Sequence, residues 1–405
     1  MSVNLVKIAA RTAAAGAAVA LGLASAPAAL AVPSPAIVQV PCNSAALAID
    51  IGNSTDGETL NLSVLCVYVL TEALPDISTD LTITGGHLAT LERSSDAPDF
   101  SILAVTDDVN VVINNVNFRN GDAGSGESVV KARQAIVPAD SSGSGGAIDN
   151  ESGNVTVNGG TFTGNAAGES GGAIYNDGVL SVTKSAFIGN SASFGGAIEN
   201  DNEATVSGAR FTGNTAFVEG GGFYNDSDAT VGTSTFRENS AEDGGGVYNN
   251  SSLALSADIF RANHATDDEG GGLYDNSDAT VSGGSFISNT ATGFGGGMAG
   301  DGDTNVTGTA FTANSAPDGG AIYNENVTTL DAVTLRHNTA TLGAGVYNDD
   351  LLNVNDDSKI LHNTASDGGG GIFNDDETVN LSESIVNVNS PDNCEPLNTI
   401  TGCNN

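Results

Sequence analysis

Carboxylates are the side chains of this chain that could do chemistry, and they recur at fixed intervals. Asp177, Asp201, Asp226, Asp301, Glu325, Asp349 and Asp375 hold one repeat position, often with a second acid close by, such as Glu203, Asp228, Asp303, Asp350 or Asp376. A second acidic column, Glu169, Glu219, Asp243, Glu269, Asp318 and Asp367, precedes pairs of Gly. Carboxylates stacked one repeat apart repel each other, and a hard cation such as Ca²⁺ could bridge them. The candidate metal ligands are Asp201, Asp226, Asp228, Asp349, Asp350, Asp375 and Asp376. Ca²⁺ would be an accessory ion, since nothing here requires a cofactor and the spacing is not that of a known calcium loop. The same acids also read as solvated turns, where Asp is favoured.

A catalytic use of these acids is the competing expectation. Asp350 and Asp376 are 26 residues apart, which puts them on adjacent repeats, near the separation of about 5 Å used by retaining glycosidases. Yet that spacing recurs along the chain, and a catalytic pair should interrupt a repeat rather than constitute it. Arg119, Arg237, Arg261 and Arg336 share one repeat position without a unique companion. No catalytic residue is assigned, and a non-enzymatic protein is expected. His337 and His362, one repeat apart, read as a metal pair or as two exposed corners.

Aromatic residues form a further column: Tyr175, Tyr224, Tyr248, Tyr274, Tyr323 and Tyr347, continued by Phe373. Each is adjacent to an apolar position, so strand alternation points it outward. A flat aromatic stripe flanked by Asn and Asp suits stacking on sugar rings. The alternative is a ladder of rings that stack on one another and cover the protein.

The elements that must position these residues follow from the period. The pattern Phe-x-x-Asn, then Gly-Gly-x-apolar-Tyr-Asn, returns every 24 to 26 residues, placing Asn165, Asn190, Asn214, Asn239, Asn263, Asn289, Asn314, Asn338 and Asn363 in one column. Such a period without helical phasing predicts a solenoid, each repeat being one rung that cannot bury its own apolar face. Within Asn176 to Asn200, Leu180 and Val182 alternate with polar residues as a half-buried strand. Ala186-Phe187 and Gly195-Gly196-Ala197-Ile198 read as two more short strands. Phe162 to Ile360 and Ile174 to Ile372 supply two inward columns, and the Asn column is expected to hydrogen-bond from rung to rung. The expected fold is all-β, a parallel β-helix of about 25 residues per rung with an N-terminal cap. Some 12 or 13 rungs at about 4.8 Å each would give a rod about 60 Å long.

The Gly-Gly-Ala-Ile and Phe-x-x-Asn pairing resembles the repeat of the polymorphic outer membrane proteins, and also secreted bacterial β-helix proteins of the pectate-lyase-like superfamily. The resemblance covers roughly Asn115 to Asn389 and recurs about ten times. It implies a right-handed coil, and its enzymatic members imply the alternative function of a polysaccharide lyase or glycoside hydrolase. Those enzymes pair clustered acids with a catalytic Arg or Lys. The short tail after Asn389 resembles that of secreted relatives rather than a membrane β-barrel.

Domain boundaries are expected at 1–31 for a signal peptide, 32–114 for the cap and irregular first rungs, 115–389 for the repeats and 390–405 for the tail. Lys7 and Arg11, the apolar stretch Ala13 to Leu23 and Ala29-Leu30-Ala31 make the secretory signal. Four Cys agree with export, and because a solenoid separates its ends, only local pairing fits: Cys42 with Cys66, and Cys394 with Cys403. The gap from Phe118 to Phe162 is 44 residues, so a loop of about 121–144 is inserted, carrying Glu127, Lys131, Arg133 and Asp140.

With 49 acidic against 12 basic residues and a net charge of −37 in 405 residues, the surface repels nucleic acid and anionic lipid. Neither is expected as a partner, nor is a membrane once the signal is removed. The oligomeric state stays open. Multivalent weak contacts along a rod gain avidity without one strong site. The function expected is therefore that of a secreted, adhesin-like protein binding an extracellular polysaccharide, cell wall or cell-surface component. A purely structural surface protein is the third reading.

Overall fold

The structure is a computed structural model that describes residues 36–124, 143–375, 377–397 and 399–403. The expected signal segment, most of the inserted loop and Asp376 lie outside the described residues.

The chain winds as a parallel β-solenoid of about 14 turns. One 25-stranded sheet takes two strands from most turns, and a 12-stranded sheet takes the strand after the Gly pair. A 5-stranded and a 2-stranded sheet line the remaining side. In one turn the strands are Val179–Thr183, Ala186–Ile188, Ser191–Phe194 and Ile198–Asn200. Each pairs in parallel with its counterpart one turn on, Leu180 with Ala204, Phe187 with Phe211 and Ile198 with Phe223. The count exceeds the expected 12 or 13 because the early region is more regular than its texture suggests. Ile37–Val40, Glu58–Leu62 and Leu81–Arg93 already pair in register. A helix that the sequence reading missed, Ser44–Gly52, packs Leu47 and Ile51 onto this end, capped by the Asn43 side chain on the Ala46 N–H. Among the described residues no helix is long and apolar enough to cross a membrane.

The core is a set of columns. Phe118, Phe162, Phe187, Phe211, Phe236, Phe260, Phe286 and Phe311 stack with centroids 4.5–4.9 Å apart and nearly parallel planes. That spacing is the strand separation itself, so each ring inherits its stacking from the sheet. At the following corner each Asn of the expected column is buried and donates both its backbone N–H and its Nδ2 to the next Asn Oδ1. Nδ2 also donates to the carbonyl of the core Phe one turn back, as Asn239 does to Phe211 at 3.1 Å. Corner groups that no strand pairs are thereby satisfied. The first Gly of each pair has a positive φ, and at the second the backbones meet. A Cβ on Gly196 would lie 2.4 Å from the Gly221 carbonyl oxygen.

Disulfides close both ends, Cys42–Cys66 with Cα atoms 5.6 Å apart and Cys394–Cys403 at 6.3 Å. Such bonds persist in oxidising compartments.

Candidate functional site

The strand after the Gly pair carries three parallel columns. Its first residue is a core apolar, its second belongs to the aromatic column, and its third forms another buried amide ladder: Asn150, Asn176, Asn200, Asn225 and Asn249, ending on Asp275. This second Asn ladder was not separated from the first in the sequence reading, although Tyr-Asn repeats visibly.

The aromatic column points away from the core, but it is not an open stripe. Tyr224 stacks on Tyr248 at 5.3 Å, Tyr248 meets Tyr274 at 4.9 Å, and Tyr323, Tyr347 and Phe373 continue the series. Tyr248 and Tyr323 are only 8% and 7% exposed, while Tyr175, Tyr224, Tyr274 and Tyr347 are half-buried. The ring spacing enforced by the sheet leaves little face for a ligand wherever Tyr follows Tyr. Hydroxyls donate to acids of the next turn, Tyr175 to Asp201 at 2.9 Å and Tyr274 to Asp301 at 2.7 Å. Burial and these carboxylates push the Tyr hydroxyls up, so they remain protonated donors.

Two interior turns break the column. Glu199 stands in register between Tyr175 and Tyr224, and Ala299 between Tyr274 and Tyr323. In both turns the residue before the Gly pair, an acid in Glu219, Asp243, Glu269 and Asp318, is instead Phe194 or Phe294. Phe194 tilts against Tyr224 at 5.7 Å and Phe294 against Tyr323 at 4.7 Å, replacing the missing ring from the other side. At the first break, aromatic and carboxylate have exchanged places.

The exchange makes a cleft of about 680 Å³. Six acids line it, Glu151, Glu169, Asp177, Glu199, Asp201 and Asp226, with the rings of Tyr175, Phe194 and Tyr224 and the hydroxyls of Ser144 and Ser170. Glu199 is 6% exposed and its Oε2 has no hydrogen-bond partner. Burial first, then the charges of Asp201, Glu169 and Asp226, push its carboxyl well above the usual range, and a Ser170 hydrogen bond offsets this in part. Asp201 is raised by burial as well.

At the second break Glu269, Asp301 and Glu325 converge, their ligand atoms all within 4.8 Å of one another. Glu269 Oε2 and Asp301 Oδ1 are enclosed without a hydrogen-bond partner. Burial and mutual repulsion raise Glu269 to about 8 and Glu325 to about 7. Among the described residues this is the one carboxylate trio spaced to hold a metal ion. The same turn has Gly300 where the amide ladder needs Asn, so Asn324 Oδ1 is left without a donor and Thr304 caps Asp275 at 2.8 Å.

The expected calcium edge is distributed differently. Asp201 lines the cleft half-buried, and Asp226 is an exposed rim residue that accepts from Asn250. Asp228 is exposed beside Glu203 in the sheet register. Asp349 and Asp350 are half-buried, and Asp375 is exposed. The structure does not bring these into a trio. The sequence signal for the trio that does converge is Ala299-Gly300, which lacks both the aromatic ring and the amide that most turns place there.

Of the basic residues, Arg119 pairs with Glu92 at 2.6 Å and Arg237 with Glu238 at 2.7 Å. Arg93, not singled out from sequence, is the buried one among the described residues, joining Asp99 at 2.8 Å and Asp122 at 3.0 Å at the start of the inserted loop. His337 and His362 are exposed and stack with centroids 5.5 Å apart at a positive-φ corner.

A parallel β-solenoid with ladder Asn corners and an acidic aromatic face is the class of protein these observations define. Residues 159–177, one repeat running from the Phe162 strand through Asn165 to Tyr175-Asn176, match the Chlamydia polymorphic membrane protein repeat. No curated protein and no solved structure matches the chain.

Proposed function

We propose that this is a secreted, extracellular binding protein of adhesin type, which presents its solenoid face to a polysaccharide, cell wall or cell-surface component. The observation that carries the reading is the face after the Gly pairs. There, inward columns are buried, while acids and partly covered rings are displayed turn after turn on a continuous parallel sheet. Repetition on one continuous sheet favours avidity over one strong contact. Two disulfides and the matched repeat support an extracytoplasmic, surface-associated setting. Deleting the two turns from 226 to 275 joins Asn225 to Asn276 in phase with the repeat. The shortened rod should fold and bind its polymer more weakly in co-sedimentation. Equal binding by the shortened and full-length proteins would remove the basis of the reading.

Ca²⁺ belongs to this reading as an accessory ion. Glu269, Asp301 and Glu325 are the residues that would hold it: one enclosed oxygen each of Glu269 and Asp301 has no hydrogen-bond partner, and Glu325 completes the trio from an exposed position. Millimolar Ca²⁺ should raise the melting temperature at pH 8, and Glu269→Gln should remove the gain. A melting temperature indifferent to Ca²⁺ would dismiss the ion.

One observation favours the second reading, a glycoside hydrolase of the pectate-lyase-like type. Glu199 interrupts a repeat, has its carboxyl pushed well above the usual range chiefly by burial, and lies beside Asp201. A lyase fits less well, because among the described residues no Lys or Arg lines the cleft to act as base. New reducing ends formed from any neutral polysaccharide, and lost in Glu199→Gln, would establish this reading over binding alone.

A further inference from the structure

The cleft around Glu199 is built differently from the rest of the acidic face. In the next turns the residue before the Gly pair is an acid and the following strand carries a ring, as in Glu219 with Tyr224 and Asp243 with Tyr248. Here the residue before the Gly pair is Phe194 and the following strand carries the carboxylate. A buried carboxylate with a free oxygen is costly unless something pairs with it. Among the described residues, no Lys or Arg reaches the cleft.

Three properties of the walls define what could pair with it. First, they are acidic, so an anionic polymer is repelled. Second, ionised carboxylates only accept hydrogen bonds, and the Tyr175 hydroxyl already donates to Asp201. A ligand that leaves these acids ionised must therefore be rich in donors, as ammonium and hydroxyl groups are, and an amide carbonyl would meet acceptors there. Third, the cleft measures about 680 Å³ and is flanked by Tyr175, Phe194 and Tyr224. That is the volume of a pocket for a small organic molecule rather than a bare ion, and aromatic rings favour both a cation and the C–H face of a sugar. The carboxylates around it do not converge as the metal-spaced trio does.

We propose that the Glu199 cleft binds an ammonium-bearing sugar, with cationic amino-sugar polymers as the ligand class. The proposal rests on the polysaccharide-binding reading and names the ligand of that face. The ammonium group pairs with Glu199 and its neighbours Glu169, Asp201 and Asp226, and the sugar ring lies against the aromatic wall. In the free protein, burial first and then those three acids push the Glu199 carboxyl well above the usual range. A cation in the cleft pushes the carboxyl back down, so binding is linked to proton release.

The test uses the mature protein and fluorescent glucosamine oligomers, with N-acetylglucosamine oligomers and oligolysine of equal charge as comparators. The key variant is the double exchange Phe194→Glu with Glu199→Tyr, which reinstates the arrangement of the next turn and so keeps the fold. Glu199→Gln is the conservative second variant, and Asp356→Asn removes one exposed charge outside the cleft as the control. The expected result is binding of glucosamine oligomers and not of the acetylated form. Affinity should fall at least about tenfold in both Glu199 variants, the size of a lost charge-assisted hydrogen bond, with Asp356→Asn unchanged. Calorimetry in two buffers should show proton release that disappears in Glu199→Gln. Equal affinity for oligolysine, or binding indifferent to both Glu199 variants, would overturn the proposal in favour of bulk charge attraction. Binding of some other polysaccharide, with none of glucosamine oligomers, would overturn it while leaving the polysaccharide-binding reading intact. Binding of no polymer at all would end both.

Discussion

Asn239 shows how much a single side chain carries in this fold. It donates through its N–H and Nδ2 to Asn263 and through Nδ2 to the Phe211 carbonyl, while its Oδ1 accepts both groups of Asn214. Asn239→Ala removes these and leaves the Asn214 backbone N–H without an acceptor, while its Nδ2 retains only the Phe187 carbonyl, at a cost of about 3 kcal/mol. The midpoint of urea unfolding should fall clearly, whereas the exposed Asn250→Ala should barely move it. A near-unchanged midpoint in Asn239→Ala would mean that the corner ladder is dispensable. The Asn column and the Phe column were legible in the sequence because burial imposes the same residue type on every turn. Glu199 was not, because its type is ordinary and only its register between two Tyr makes it exceptional.

At the scale of elements, each turn contacts only the turns before and after it, so stability is close to a sum of turn and interface terms and the ends are the weak points. Cys42–Cys66 ties the first strands together, and Cys394–Cys403 anchors the tail whose Cys394 strand pairs with Ile372–Asn374. Reduction should therefore raise amide exchange in Ile37–Leu70 and Ile385–Glu395 while strands such as Phe223–Asn225 stay protected. Uniform loss of protection along the chain would show that the solenoid unfolds as one unit instead. The end helix Ser44–Gly52 escaped the sequence reading because its nine residues lie in a stretch too short to show a helical period against β-rich surroundings.

At the scale of the whole molecule, the acidic face couples stability to pH. Asp149, Glu219, Asp258 and Glu325 are raised to about 7 and Glu269 to about 8, chiefly by burial. Between the ordinary carboxyl range near 4 and about pH 8, the folded protein thus binds more protons than the unfolded chain. Its stability must fall as pH rises through that window and level off once these groups have ionised. The melting temperature should be higher at pH 5 than at pH 8, the reverse of a protein held by salt bridges. A melting temperature that climbs over this range would show that the acids are better solvated than their burial implies. Added Ca²⁺ should narrow the difference by replacing protons at Glu269, Asp301 and Glu325.

The sequence by itself determined the architecture of this protein. A period near 25 with one inward Phe, one corner Asn and one Gly pair admits little besides a stacked parallel coil, since each element fails to bury its apolar face alone. Local Cys pairing followed from the same geometry. Only the tertiary structure decided which of many similar acids matter. Repetition makes the carboxylates alike along the chain, and their differences arise from what lies one turn above and below. That vertical register separates an exposed acid such as Asp228 from the enclosed Glu199, and it brings Glu269, Asp301 and Glu325 together across the gap left by Ala299. Burial and proximity are properties of the stack, and no single repeat contains them.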